Sequence, residues 1–136
     1  MSKKLSILFG LLVLVSVSFS ELVIVVHPNS PLAKISAKEL KDIYRNKIKK
    51  WKFGGAIIRT SLKKGETHKA FCKTIKKSPS KLKRFWKKQV FTGKGAALKK
   101  FKSEKELINF IKDNELAIGY IDSASANDSI KVLPIK

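Results

Sequence analysis

Apolar and polar positions after residue 20 alternate between short continuous runs and helical stripes. Leu22 to Val26 is an unbroken, largely β-branched run, as expected of a strand covered on both faces. His27-Pro-Asn-Ser-Pro31 then supplies turn chemistry. Ser36-Ala-Lys-Glu39 has the spacing of a capping box and predicts a helix through about Arg45, with Leu40, Ile43 and Tyr44 on one face. Gly54-Gly55 turns the chain into a short strand over residues 56–59. A second helix is predicted over residues 65–77, with Ala70, Phe71 and Ile75 inward and lysines outward. Ser78 as N-cap and Pro79 in the first turn open a third, whose stripe is Leu82, Phe85, Trp86 and Val90. Phe91-Thr-Gly-Lys-Gly95 reads as a loop. Ser103-Glu-Lys-Glu106 is a second capping box, opening a helix with Leu107, Ile108 and Ile111 inward. Ala117 to Ile121 and Ile130 to Ile135 are the last strands. Strands and helices that alternate without a repeat or a low-complexity linker indicate one α/β domain.

The first twenty residues have the composition of an export signal. Lys3 and Lys4 precede an apolar core from Leu5 to Phe19, and Ser18-Phe-Ser20 offers small residues for cleavage. That core is shorter than the roughly 20 residues a spanning helix needs, so an uncleaved anchor is the lesser alternative. No cysteine follows it, and no lipoprotein anchor is expected. Residues 1–20 are thus read as a signal peptide and residues 21–136 as a single domain with an extracytoplasmic location. The lone Cys72 cannot form an internal disulfide and reads as a buried thiol.

Charge deviates most from an ordinary composition. The chain carries +20, lowered to +18 when Lys3 and Lys4 are set aside, and 27 of its 30 cations are lysine. Such a surface concentrates anions around it. Lysine-rich composition as such, for example a thermophilic habit, produces the same bias without any function.

Two segments carry a family resemblance. Glu39-Leu-Lys-Asp-Ile-Tyr44 runs into Lys47-Ile-Lys-Lys-Trp51, and Ala117-Ile-Gly-Tyr-Ile121 follows much later. A helix leading into G/N-K-I-x-x-W, then a buried A-I-G-Y strand, resembles the phosphate ABC transporter substrate-binding proteins of the type 2 periplasmic binding protein superfamily. The resemblance covers residues 22–135. It implies a single three-layer lobe with a mixed sheet flanked by helices, since the length after residue 20 is too short for two lobes. It also implies binding of phosphate or a similar oxyanion, without a cofactor. The implied partners are an ABC transporter permease or another envelope protein, or a second copy of the chain that completes a homodimer.

The candidate binding segment is Arg59-Thr-Ser-Leu-Lys-Lys-Gly-Glu-Thr67, which leads from a strand into a helix. A helix N-terminus offers free N–H groups and a partial positive charge. In the resembled family this place holds an arginine, then a D-G-S-G-T turn around the phosphate. Arg59 matches the arginine, and Gly65 and Thr67 match the end of the turn. The segment is about two residues longer here, and Glu66 stands where a small hydroxylated residue is expected. Ser61 within the segment, with Thr92 and Lys94 on the later glycine-bearing loop, completes the expected ligand set. Compared with two-lobed relatives, a lone lobe lacks about three charge-assisted hydrogen bonds. At about 1.5–3 kcal/mol each, that is about 4–9 kcal/mol, so tight capture by a monomer is not expected.

Other chemistries find little support. Phe91-Thr-Gly-Lys-Gly95 lacks the G-x-x-x-x-G-K-S/T order of a nucleotide-binding loop. His27, His68 and Cys72 are too few for a metal site, although His68 and Cys72 share a helix face. The acidic residues are scattered, and neither Ser61 nor Ser80 has the setting of a nucleophile, so no enzyme is expected. Trp51, Trp86, Phe85, Phe91 and Phe110 read mostly as core residues rather than base-stacking platforms, and nucleic acid is not an expected partner. Beside the oxyanion reading stand two alternatives: an interaction module that kept the fold and lost the ligand, and a binder of anionic polymer by charge alone.

Overall fold

The structure, a computed structural model, describes residues 20–136; nearly all of the export signal read from the sequence lies outside the described residues. The first strand, β1 (Leu22–Val26), is followed by α1 (Ala37–Tyr44), β2 (Ile58–Leu62), α2 (Glu66–Thr74) and α3 (Pro79–Phe91). Then come β3 (Lys99–Phe101), α4 (Glu104–Lys112), β4 (Ala117–Asp122) and β5 (Lys131–Leu133). The strands form one mixed sheet in the order β3-β2-β4-β1-β5. Strands β3, β2 and β4 are parallel, while β1 runs antiparallel to both β4 and β5.

Helices α1, α2 and α3 cover the sheet face that bears Arg59, Ser61, Ile118 and Tyr120. On this face the Phe71 ring lies flat on Tyr120 with centroids 3.8 Å apart, and Tyr44 meets Phe71 edge-on at 4.6 Å. Helix α4 covers the opposite face. There a Cβ on Gly119 would come within 2.8 Å of both Leu107 and Ile111, and closer still to the Thr60 hydroxyl. The A-I-G-Y strand carries glycine because α4 and β2 leave no room for a side chain. The expected three-layer α/β lobe with helices on both faces is the observed fold.

Local signals explain most element ends. Ser36 accepts from the Glu39 N–H while the Glu39 carboxylate accepts from the Ser36 N–H, so both halves of the first capping box form. Ser78 and Ser103 cap α3 and α4 through their hydroxyls, which accept from the Lys81 and Glu106 N–H groups, so only the serine half of the box expected at Ser103 forms. Several expectations need correction. The strand expected over 56–59 runs instead from Ile58 to Leu62, because the polar Thr60 and Ser61 are buried with partners. Ala70 is exposed, and His68 takes its inward place on α2. Helix α3 continues to Phe91, leaving Val90 half exposed and Phe91 almost wholly so. Strand β3 has no counterpart among the predicted elements.

Candidate functional site

The carboxyl end of β2 and the adjoining edge strand β3 open onto a cleft of about 390 Å³ between α2 and α3. Open α/β sheets place their ligands beyond the carboxyl ends of the strands. Leu62, Leu82 and Leu98 form apolar walls, and Lys63, Lys83 and Lys100 contribute three ammonium groups. The cleft lining includes no carboxylate among the described residues.

Ser61 and His68 also line the cleft, and beneath them lies a chain of buried hydrogen bonds. Tyr120, on the neighbouring strand, accepts from the Leu62 N–H at 2.9 Å. Its hydroxyl lies 2.6 Å from His68 Nδ1 and 3.1 Å from Ser61 Oγ. Ser61 in turn donates to the Leu62 carbonyl at 3.0 Å. One set of protons satisfies every member: His68 Nδ1–H donates to Tyr120, and Tyr120 O–H donates to Ser61. That tautomer leaves the His68 Nε2 lone pair facing the Cys72 thiol, 3.7 Å away. Burial, with the neighbouring Lys100 charge as a smaller cause, lowers the His68 pKa below its ordinary value and favours the neutral ring. Burial also pushes the Cys72 thiol up to about 11 and raises the Tyr120 hydroxyl well above its ordinary value.

The six residues expected to share a site do not converge in one place. Arg59 is only 8% exposed and is spent on the scaffold. Its Nε donates to the Ile43 carbonyl at 2.6 Å, and Nη2 to the Ile48 carbonyl at 2.9 Å and to Asn46 Oδ1 at 3.2 Å. The guanidinium lies 4.8 Å from the Trp86 ring centre. Gly65 is the N-cap of α2 with φ 107°, a backbone state open mainly to glycine. Thr67 donates its hydroxyl to Glu104, whose other carboxylate oxygen accepts from the Asp122 N–H. The turn around Gly65 is thus flanked by two carboxylates, Glu66 and Glu104. Thr92 caps the far end of α3, bonded to the Lys88 carbonyl, and Lys94 follows it. Twelve residues of helix at about 1.5 Å each place that end roughly 18 Å from Ser80 in the cleft. Of the six, Ser61 alone lines the cleft.

Sequence reasoning missed Lys83, Lys100 and the coupling of Tyr120 to His68. The lysines sit on an element assigned to core packing and on the unrecognised β3. The coupling joins residues 52 apart, and it exists only in the register that pairs Arg59 with Ile118. Among the described residues, no three His, Cys, Asp or Glu side chains gather as a metal site, and no helix is long and apolar enough to cross a membrane.

The chain resembles several solved proteins. A phosphate ABC transporter substrate-binding protein with bound phosphate from Clostridium perfringens, described as putative, is 22% identical, with a TM-score of 0.70 over 85% of this chain and 45% of that one. An ABC-type phosphate transport receptor from Vibrio cholerae is 18% identical, with a TM-score of 0.57 over 84% and 45%. A possible phosphate binding protein from Planctomyces limnophilus is 17% identical, with a TM-score of 0.60 over 86% and 42%. The chain therefore spans less than half the length of these proteins, and at such identities the likeness is one of fold. None of the curated proteins compared with the chain matched it. The PBP superfamily domain model matches residues 10–132, nearly the whole chain, and with the fold in agreement the chain belongs to that family.

Proposed function

We propose that the chain is an exported, oxyanion-binding lobe that takes phosphate or a similar anion in the cleft at the carboxyl end of β2. The observation that carries this reading is the set Lys63, Lys83 and Lys100 facing a buried, hydrogen-bonded Ser61, with no acid in the lining among the described residues. Ser61 can turn its proton from the Leu62 carbonyl to an anion while still accepting from Tyr120, so Tyr120 and His68 act as positioning residues. Lysines supply charge without the fixed fork of an arginine, which suits a small, rotating tetrahedral anion. The turn of Gly65 and Thr67 is the weaker place for it, because Glu66 and Glu104 would repel the charge. In this reading Arg59 holds the floor of the lobe together, and Thr92 and Lys94 stand outside the site. The phosphate-transport descriptions of the solved neighbours support extending the same proposal to delivery of the anion to an ABC transporter.

Isothermal titration of the purified chain with phosphate at low salt tests it. Saturable binding should weaken by roughly tenfold in Ser61→Ala and more in Lys83→Met/Lys100→Met, each charge-assisted bond being worth about 1.5–3 kcal/mol. Absence of heat from a folded protein would sink the reading. The exposed Val90 and Phe91 at the end of α3 favour a second reading, docking on an envelope protein or on a second copy. Light scattering that gives a monomer for both wild type and Phe91→Ser would remove the second-copy form of it.

A further inference from the structure

The cations are unevenly distributed. From Thr67 to Ser103 the sequence carries twelve lysines and one arginine and no aspartate or glutamate; all ten acids lie outside this stretch. The stretch builds most of α2, all of α3 and β3, so most of the elements around the cleft come from acid-free sequence, with Glu66 and Glu104 at its border. Three further concave surfaces adjoin the cleft; one shares Leu62 with it and bears Glu66 and Glu104, and the other two are lined by lysines and no carboxylate among the described residues. Of these two, one, of about 440 Å³, is lined by Lys69, Lys73, Lys76 and Lys77 and meets the cleft at Pro79. The other, of about 230 Å³, is lined by Lys87, Trp86 and Val90 and shares Lys83, Leu98 and Lys100 with the cleft. The first runs along α2 and its connection to α3, and the second along α3, whose 13 residues span about 20 Å.

We infer that this row of concave surfaces is one cationic track for a linear chain of closely spaced phosphates, of which inorganic polyphosphate is the simplest. The inference rests on the oxyanion reading for its central cleft and extends it to a longer ligand. Crowding of like charge supports it: burial, then Arg45 and Lys81, lowers the Lys77 pKa, so an anion threading between these groups relieves repulsion already present. Glu66 stands at one edge, 3.4 Å from Lys69, and does not line the track. Bare phosphate fits better than nucleic acid, since among the described residues no exposed aromatic ring lines the track for a base to stack on. Trp86 is 3% exposed, Lys77 covers Phe85, and the exposed Phe91 lies outside the lining. A concave, narrow surface also fits a flexible chain better than a flat bilayer.

The test titrates the full chain with orthophosphate, tripolyphosphate and long-chain polyphosphate, using wild type, Lys69→Glu/Lys73→Glu and, on the opposite face, Lys105→Glu/Lys112→Glu. Far-UV circular dichroism first establishes that both variants fold. Long chains should bind more tightly than tripolyphosphate, with a steep loss on adding salt. The α2 variant should lose on the order of tenfold in long-chain affinity, the α4 variant less than about threefold, and orthophosphate binding should stay unchanged in both. Equal affinity for short and long chains, or equal losses in the two variants, overturns the track. So does single-stranded oligonucleotide of matched charge, or an anionic phospholipid vesicle, binding as tightly as polyphosphate. Length-dependent polyphosphate binding without orthophosphate binding supports the track and removes the single-anion reading alone.

Discussion

Replacing Arg59 separates a scaffold arginine from a ligand arginine. Arg59→Met keeps most of the aliphatic volume and deletes the guanidinium, so the polar contribution is read with little cavity. Two short charge-assisted bonds go, to Ile43 and Ile48, together with the longer one to Asn46 and the stacking on Trp86. Two such bonds contribute about 3–6 kcal/mol, and the desolvation cost of the guanidinium, which the variant no longer bears, offsets part of their loss. A loss of about 3–4 kcal/mol is expected, a large share of the roughly 5–15 kcal/mol that holds a domain of this size. Urea denaturation followed by circular dichroism reads it. With a slope of about 1–3 kcal/mol per molar, the midpoint should fall by about 1–4 M. Arg59→Lys should recover little, because one ammonium cannot reach three acceptors laid out for a planar fork. A loss below about 1 kcal/mol, accompanied by abolished phosphate binding, would refute this reasoning and return Arg59 to the ligand.

Three further outcomes are expected. Gly119→Ala should destabilise by about 1–3 kcal/mol through overpacking against Leu107, Ile111 and Thr60, and Thr60→Ala in the same chain should restore part of it; additive losses in thermal melts would contradict the close approach. The folded His68 takes up its proton at lower pH than the unfolded chain, whose histidine titrates near 6.5. Its contribution to stability is therefore complete above about pH 6.5 and is lost as pH falls through the folded value. Denaturation midpoints of wild type should drop across that window relative to His68→Gln, and parallel curves would exclude the effect. Cys72, with its thiol pushed up to about 11, leaves roughly one molecule in a thousand as thiolate at pH 8, so a thiol reagent should label it slowly until denaturant is added. Rapid native labelling would show that α2 opens.

The elements most legible in the sequence were those whose signal is local. The β-branched run of β1, the serine caps of α1, α3 and α4, and the Gly54-Gly55 turn each act through neighbouring residues, and each is found in the structure. Strand β3 escaped because Lys99 and Lys100 are polar and β3 is a three-residue edge, where lysine discourages pairing with other chains. Strand β2 was placed early because Thr60 and Ser61 look like surface residues; the Ile118 carbonyl and the Tyr120 hydroxyl that bury them lie some 58 residues away. The same distance hid the site. Arg59 ends inside the scaffold because Asn46, with φ 62°, turns its side chain toward Arg59, Gln89 and Lys94 together. Sequence order gives no sign of that meeting point.

The antiparallel β1 has a consequence for the order in which the chain can fold. Its neighbours on either side are the last two strands: Leu22 pairs with Asp122, and Ile24 with Leu133, about a hundred residues later in each case. Closing so large a loop is slow and comes late, since its entropic cost precedes any contact that offsets it. Until β4 and β5 exist, β1 has no strand to join, and the sheet is held at most through β2 and β3. A growing chain with its C-terminal twenty residues still confined thus stays open at its centre. Release of the last strands then closes the sheet in one late, cooperative step.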